Sequence, residues 1–517
     1  MVFFGSIFFQ GRTLSTTAIT PGTLAKGVFD YQGRVMKTLP LKDPGAFSWH
    51  HYPLMKVNQK AYQNGELPLW NPYMGSGQPL AADQQSGGFS PLNLPLFISS
   101  SLLTWDLFMI FRLALAFAFT FLLARRFGFS QKGSFLSAIV FTFSGYFWFF
   151  ITMNHLSIEV LIPAAFYFSE RLLEEENMVN IGGLAAIYGL ALLGGMPESS
   201  FLLIVVSSLY FIIRLTTKSR KEGGKFALKR GGYFATSLVI GFALSAILLL
   251  PFFEYLQNAW HAHVSGQMAG SRAILKRGLS DLLIPNLSWP GPNWADIKRH
   301  YVFHYVGVLS LLLAFTANKR KWPNVFFTGL ALFYLLKLVG FPVINLIGKL
   351  PFFESIYYPK YLAPYFAISI AVLAGSGFDT LKEVNLKKIG LFVGLWLTGV
   401  AFILFYYWAS MVAKGASVAV AIRVAKPAAI IFLFVALLVL FKKGIFKLKW
   451  SLVSTVIIFL VVAELFAYLP NDRSTRHNPQ KQASYINFLK KKMKKQPKDP
   501  FRVIGLDRVL FPNMASV

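Results

Sequence analysis

The chain has 517 residues, of which 55% are hydrophobic and 14% charged, with a formal net charge of +29 and no cysteine. A water-facing surface normally carries about 25% charged residues, so the composition excludes an ordinary soluble protein, and the missing cysteines exclude disulfides, zinc–thiolate sites and iron–sulfur clusters. The basic excess is not the footprint of a nucleic-acid binder, because Lys and Arg collect in short loops between apolar blocks and no DNA- or RNA-binding motif accompanies them.

The apolar blocks run roughly 17–22 residues, the length that crosses ~30 Å of hydrocarbon at ~1.5 Å per residue. Backbone polar groups inside lipid must be satisfied within the segment, so each block is expected to be helical. The predicted fold is all-α: a polytopic membrane protein of about twelve transmembrane helices with large outer loops. In chain order, residues 1–9 are apolar but too short to span, and read as a partial first apolar segment or an interfacial stretch; no cleavable signal peptide is visible. Residues 10–101 are rich in Pro, Gly, Asn, Gln, Trp and Tyr and read as a large outer loop with interfacial helices. One such helix is expected from Tyr52 to Tyr62, with Leu54, Val57 and Ala61 on one side.

Residues 102–469 are expected to form the transmembrane domain, with spans near 103–124, 133–151, 156–173, 181–195, 198–214, 233–253, 303–317, 324–341, 361–378, 388–408, 422–441 and 450–468. Gly194, Gly195 and Pro197 split the fourth from the fifth, which makes that pair a tight hairpin or one broken helix. A second large outer loop covers 254–302. The tail 470–517 is expected outside; its Lys490-Lys491-Lys492 run reads as solvated or facing lipid headgroups, and Phe501-Arg-Val-Ile-Gly as the start of a truncated C-terminal domain. No internal repeat is detectable, which counts against a transporter built on inverted repeats.

With 10–101 outside, the inner loops carry Arg125, Arg126 and Lys132, then residues 214–230, then Lys319, Arg320 and Lys321, then Lys382, Lys387 and Lys388, then Lys442, Lys443, Lys447 and Lys449. This is the positive-inside pattern. The inner loop at Glu174-Glu175-Glu176 departs from it.

The densest polar cluster is 65–93. Trp70, Asn71, Tyr73, Gln78, Asp83, Gln84, Gln85 and Asn93 supply aromatic faces, amides and one carboxylate, the inventory of a sugar site. The alternative is a structured loop punctuated by Gly and Pro for turns. His155 and Glu159 lie one helical turn apart near the outer end of a span, where a carboxylate is costly and usually functional; Glu198 opens another outer half. His50 and His51 flank the interfacial helix and read as interface residues. His300 and His304 lack the third partner a metal needs.

Leu67-Pro-Leu-Trp-Asn-Pro-Tyr, Gly77-Gln-Pro-Leu-Ala-Ala-Asp-Gln-Gln and Phe89-Ser-Pro-Leu-Asn together resemble the signature loop of the bacterial YfhO-like membrane proteins. Gly194-Gly-Met-Pro-Glu, Tyr305-Val-Gly-Val-Leu-Ser, Leu350-Pro-Phe-Phe-Glu-Ser-Ile, Leu373-Ala-Gly-Ser-Gly-Phe-Asp, Phe501-Arg-Val and Pro512-Asn resemble further elements of that family, in order. The family is similar to the GT-C glycosyltransferases, multi-span enzymes that use a polyprenyl-phosphate sugar. The resemblance implies a GT-C-like hexosyltransferase of the bacterial cytoplasmic (inner) membrane, active face outward. It would move a sugar from the lipid phosphate to a hydroxyl of a cell-envelope polymer or glycolipid. It also implies a carboxylate in the first outer loop that acts as base, within hydrogen-bond reach of the acceptor, or helps position the acceptor. Where the family carries Asp, six residues before Tyr52-Pro53, this chain has Ala46. Asp43 is the first candidate and Asp83 the second; capping a short helix is the other role open to either. Cations must stabilise the leaving phosphate; Arg272, Lys276, Arg277 and Lys360 are the candidates, the last standing where the family often has Arg. No cofactor or metal ligand set is predicted, and a divalent metal stays open.

Two other readings compete. A flippase or transporter of lipid-linked intermediates needs polar groups along several spans, whereas here they gather on one side. A non-catalytic envelope-assembly scaffold is kept open by the absent Asp. The outer cavity is expected to be walled by 30–100, roofed by 254–302 and open sideways to lipid.

Overall fold

The computed structural model describes residues 4–10, 12–15, 47–74, 77–258, 280, 282–284, 304–412, 417–445, 447, 449–468, 488, 491–492 and 494–495. Asp43, Ala46, Arg272, Lys276, Arg277 and His300, the roof expected at 254–302 beyond Asn258 apart from residues 280 and 282–284, and the C-terminal motifs lie outside the described residues.

The chain folds as helices, with one two-residue strand pair among the described residues. The predicted interfacial helix is α1 (Tyr52–Gln63); Pro53 sits in its first turn, where a missing N–H costs nothing. Leu54 and Val57 pack with Leu80 of the following loop. In that loop β1 (Trp70–Asn71) pairs antiparallel with β2 (Gln78–Pro79). Gly77 takes φ +100°, and a Cβ there would meet the Trp70 ring at 2.6 Å, so the turn needs glycine.

The bundle proper begins with α2 (Leu102–Arg126), capped by Ser101, whose side chain accepts from the Thr104 N–H. Buried Asp106 on α2 accepts from Thr13 Oγ1 at 3.0 Å and Leu14 N–H at 2.9 Å, tying the N-terminal segment to the bundle. Then come α3 (Gln131–Thr142), α4 (Leu156–Glu159), α5 (Ile162–Glu174), α6 (Met178–Leu192), α7 (Pro197–Glu222), α8 (Gly224–Leu244) and α9 (Ala246–Asn258). The second half carries α10 (Val308–Thr316), α11 (Asn324–Leu338), α12 (Ala363–Thr380), α13 (Leu386–Val412), α14 (Ser417–Lys442) and α15 (Trp450–Tyr468).

Among the described residues six helices are long and apolar enough to cross a membrane, or up to eight if each of two bent pairs counts as one span. A polytopic membrane fold stands, while several of the twelve predicted spans are short or interrupted. The 133–151 block stops at Thr142 and resumes as a helix over Gly145–Phe149; the 156–173 block is α4 plus α5, with Pro163 at the restart. The 233–253 block bends by 72° at Ser245 and the 324–341 block by 90° near Gly340. In the 303–317 block the helix starts only at Val308, after Gly307 at φ +90°. Hydropathy counts apolar residues but does not see where a backbone N–H is diverted. At α10, Glu464 of α15 accepts from Val308 and Leu309 N–H, the latter at 2.9 Å, and from Tyr305 OH at 2.7 Å. The 181–195 and 198–214 segments form a hairpin, α6 and α7, joined by Tyr188 and Ser207 hydroxyls 3.0 Å apart.

Helix α12 is the centre: every residue from Ala363 to Phe378 is buried, and α3, α10 and α11 pack around it. Its Gly375 lies against Ser137 and Gly133 of α3, and Gly377 against the Leu313 carbonyl of α10; a methyl at either would overlap these atoms. Asp379, one turn on, accepts from the Ser130 N–H at 2.7 Å. The Leu373–Asp379 motif is thereby a packing device.

One end of the bundle is ionic. Glu174 pairs with Arg126 at 2.6 Å and Lys218 at 3.1 Å, Glu175 with Arg126 and Arg171, and Glu176 with Lys229 at 2.6 Å. The acidic loop that broke the charge pattern therefore neutralises cations at the adjacent ends of α2, α7 and α8, and the stretch 214–230 expected as a loop is itself helical apart from Gly223. Lys388 reaches the Thr316 carbonyl and Lys132 the α15 residues Ser451 and Ser454 at the same end. The loop 65–93 and the Asn154–Glu159 and Gly194–Ser199 segments lie at the opposite ends of the same helices.

Candidate functional site

Three stretches distant in sequence meet at that opposite end. The Asn154 side-chain amide donates to the Gln85 carbonyl at 2.7 Å. Gly195 takes φ +87° and lies so close under the loop that a Cβ would stand 3.0 Å from the Gln84 carbonyl and 3.7 Å from Gly87 N. Helix α1 holds the same loop from the other side: Asn58 Nδ2 donates to the Ser86 carbonyl at 2.8 Å and Tyr62 OH to the Gly88 carbonyl at 2.7 Å. Asn93 Nδ2 closes the loop on Gly87 at 2.9 Å.

Beneath it lies a buried polar cluster. Glu159 accepts from Tyr146 OH at 2.7 Å and Ser199 Oγ at 2.9 Å, and its other oxygen is 2.9 Å from His155 Nδ1. Three donors converging on one group suit the acceptor-only carboxylate, which places the imidazole proton on Nδ1. His155 Nε2 is buried with no hydrogen-bond partner among the described residues. The Phe150 and Tyr361 rings flank the imidazole edge-on at centroid distances of 4.9 and 5.8 Å. Lys360 Nζ sits 4.8 Å from both of those ring centroids. Lys360 and Arg112 are within electrostatic reach of Glu159, His155 and His51.

Arg112 escaped the sequence reading. It is 1% exposed in the middle of α2. It donates to the Met153 carbonyl at 2.7 Å, to the Ile151 carbonyl, and to Ser157 Oγ at 3.2 Å, and it covers the Phe108 ring at 4.7 Å. Its work is to hold the turn that presents Asn154 and His155. A lone Arg inside an apolar block was the available signal. Tyr146 and Ser199, also missed, had none.

Asn71 is wholly buried; its side chain accepts from the Tyr73 N–H at 3.0 Å and its backbone pairs with Gln78, so these three shape the hairpin. Trp70 is 54% exposed, and Tyr73 is near it in sequence with its hydroxyl on Lys60 Nζ. Gln84 is buried at φ +26° and Gln85 half-buried, both seated over Asn154 and Gly195. Glu198 is half-buried in the first turn of α7, beside Ser199.

Asp83 precedes the short 3-10 turn Gln84–Ser86, yet its side chain makes no cap hydrogen bond. Burial pushes its carboxyl up to about 7. Helix capping is therefore not what this side chain does. At the edge of the same region, burial lowers His50 to about 4 and carries His51 well below the ordinary histidine range, so both are neutral near pH 7. Among the described residues no group of three or more His, Asp or Glu is placed to hold a metal ion.

No protein-family model matches the chain, and no curated protein matches it. Among solved structures the chain is similar to the crystal structure of ArnT from Cupriavidus metallidurans bound to undecaprenyl phosphate, at 11% identity over 81% of this chain and 71% of that chain, with a TM-score of 0.48. It is also similar to the same protein in the apo state, at 12% identity over 81% and 70% of the two chains, with a TM-score of 0.44.

Proposed function

We propose that this membrane protein is a glycosyltransferase of the GT-C type, moving a sugar from a polyprenyl-phosphate donor to a hydroxyl of an envelope polymer or glycolipid. The observation that carries the reading is the seating of the Asp83–Gly88 loop on Asn154 and Gly195. It brings the signature loop, the His155–Glu159 pair and the Gly194–Glu198 element to one place. By the positive-inside rule the end opposite the ionic loops faces outward.

In this reading Asp83 takes the acceptor proton. Its carboxyl is poised near neutrality, where a general base is most effective, and it is not spent on capping the turn that follows it. The acceptor oxygen bonds to the sugar's anomeric carbon as the bond to the phosphate oxygen breaks, and the electron pair leaves with the lipid phosphate. Lys360 supplies positive charge for that phosphate. Glu159, with three donors on it, orders His155 and Ser199 beneath the loop and acts as a positioning residue. Asp43 remains the alternative base.

The test is sugar transfer by the detergent-purified chain. Undecaprenyl-phosphate sugars labelled on the sugar are offered with a crude envelope acceptor, comparing wild type with Asp83→Asn and Asp43→Asn. Transfer by wild type that is lost in Asp83→Asn supports both the activity and its base. Loss in Asp43→Asn alone moves the base. No transfer from any donor, with lipid-phosphate binding retained, overturns the enzyme reading in favour of a scaffold or flippase.

A further inference from the structure

The ionic end of the bundle holds a cavity of about 630 Å³, lined by the cations Arg214, Lys218 and Lys221 of α7 and Arg230 of α8 and by the carboxylates of Glu174, Glu176 and Glu222, with Phe226 among the others. It is remote from the site above, and the reaction proposed there does not use it. Most of its charges are already matched. Arg214 lies 2.8 Å from Glu170, Lys218 3.1 Å from Glu174, and Glu176 is held by Lys229 at 2.6 Å.

Arg230 is only partly matched. It is 6% exposed, yet its Nε and Nη1 have no hydrogen-bond partner among the described residues. Its contact with Glu176, at 3.5 Å, is the longest of the ion pairs at this end. Buried guanidinium donors without acceptors are costly, because the lost hydration is not replaced. Lys221 also lines the wall and adds positive charge there.

Exposed aliphatic side chains lie on other faces of the same two helices: Leu209, Ile212 and Ile213 of α7 are 50%, 53% and 38% exposed, and Leu228 of α8 is 81% exposed. A polar cavity holding buried guanidinium donors matches a small anionic group, a lipid headgroup among them.

We propose that this cavity binds a phosphate-bearing anion, with the Arg230 guanidinium as the principal donor. The phosphate can belong to an anionic phospholipid or to a free phosphate compound; the chemistry at Arg230 is shared. Arg is suited to the task because its planar fork meets two phosphate oxygens at once.

The full chain, delipidated in detergent, is titrated by native mass spectrometry with phosphatidylglycerol and with phosphatidylcholine of the same acyl chains, with and without inorganic phosphate. Phosphatidylglycerol should be retained saturably and about tenfold better, and Arg230→Gln should erase that preference. Lys225→Gln removes an equal charge from a side chain that does not line the cavity, and should leave the preference intact. Competition by inorganic phosphate assigns the site to a free phosphate compound; absence of competition assigns it to the headgroup. Equal retention of both lipids with no protection by phosphate overturns the proposal, as does an equal loss in Lys225→Gln. If Arg230→Gln does not fold, Lys221→Gln must weaken phosphatidylglycerol retention, and an unchanged value there also overturns it.

Discussion

Arg112 donates to the carbonyl of Met153 at 2.7 Å, two residues before His155. A charge in the middle of a 25-residue apolar helix is thereby spent on fixing the turn beneath the signature loop. Replacing it with Met removes donors from buried carbonyls that have no water to turn to. Arg112→Met should lower stability by about 3 kcal/mol or more, read as a fall in melting temperature in detergent. Arg112→Lys should restore little of it, since one ammonium cannot span the Ile151 and Met153 carbonyls as the fork does.

In the proposed reaction Asp83 joins activity to pH. Its folded-state pKa of about 7 lies above the ordinary 3.8. A base must be ionised to accept a proton, so transfer should rise with pH and level off above about 7. Asp83→Asn should lower transfer by about 10²-fold or more and flatten the profile, as measured by initial rates between pH 5.5 and 8.5.

The same shift has the opposite effect on stability. Between pH 4 and 7 the folded protein holds the Asp83 proton and the unfolded chain has released it. This contribution is therefore present at low pH and lost as pH rises through 7. His50, lowered to about 4 by burial, works against it, adding stability as pH rises from 4 to 6.5. The comparison that isolates Asp83 is between variants. Asp83→Asn should be more stable than wild type at pH 8, and the gap should close toward pH 4, by thermal melts in one detergent.

Glu159 separates positioning from chemistry. Glu159→Gln keeps the size and two acceptor contacts but no longer fixes the His155 proton. The chain should fold, with transfer lowered by about tenfold and the pH midpoint set by Asp83 unmoved. A midpoint displaced by a full unit would make Glu159 the base instead.

The glycines of α12 give a prediction about packing alone. Gly377→Ala places a methyl on the Leu313 carbonyl and should cost about 1–3 kcal/mol. Gly390→Ala, in α13, meets nothing within 4 Å. It should leave the melting temperature unchanged or raise it slightly, since alanine is the better helix former by up to about 1 kcal/mol.

Apolar run length and loop charge were enough to read the membrane class and the long helices α2, α7 and α12 to α15, and the one-sided placement of Leu54, Val57 and Ala61 gave the α1 helix. The interruptions were not readable. Ser245 and Gly340 look ordinary in a hydropathy window, and the late start of α10 depends on Glu464, more than 150 residues away in sequence. At the site, the segment around His155 and Glu159 stood out because a carboxylate at that depth needs a reason. What Glu159 touches did not, because Tyr146 and Ser199 are ordinary residues of an apolar chain. The amides of 65–93 were chosen for their sugar-binding chemistry, and the structure has Asn71 and Asn93 turning inward to bond their own loop.

Helix α12 meets α3 from the first half of the chain through Gly375, and α10 from the second half through Gly377. The two halves therefore share a single interior, and neither is a self-sufficient unit. A fragment ending at Asn258 would leave Gly133 and Ser137 facing lipid across a groove shaped for a helix it does not possess. Two fragments divided between Asn258 and His304 and expressed together should assemble with each other, since each carries the surface the other lacks.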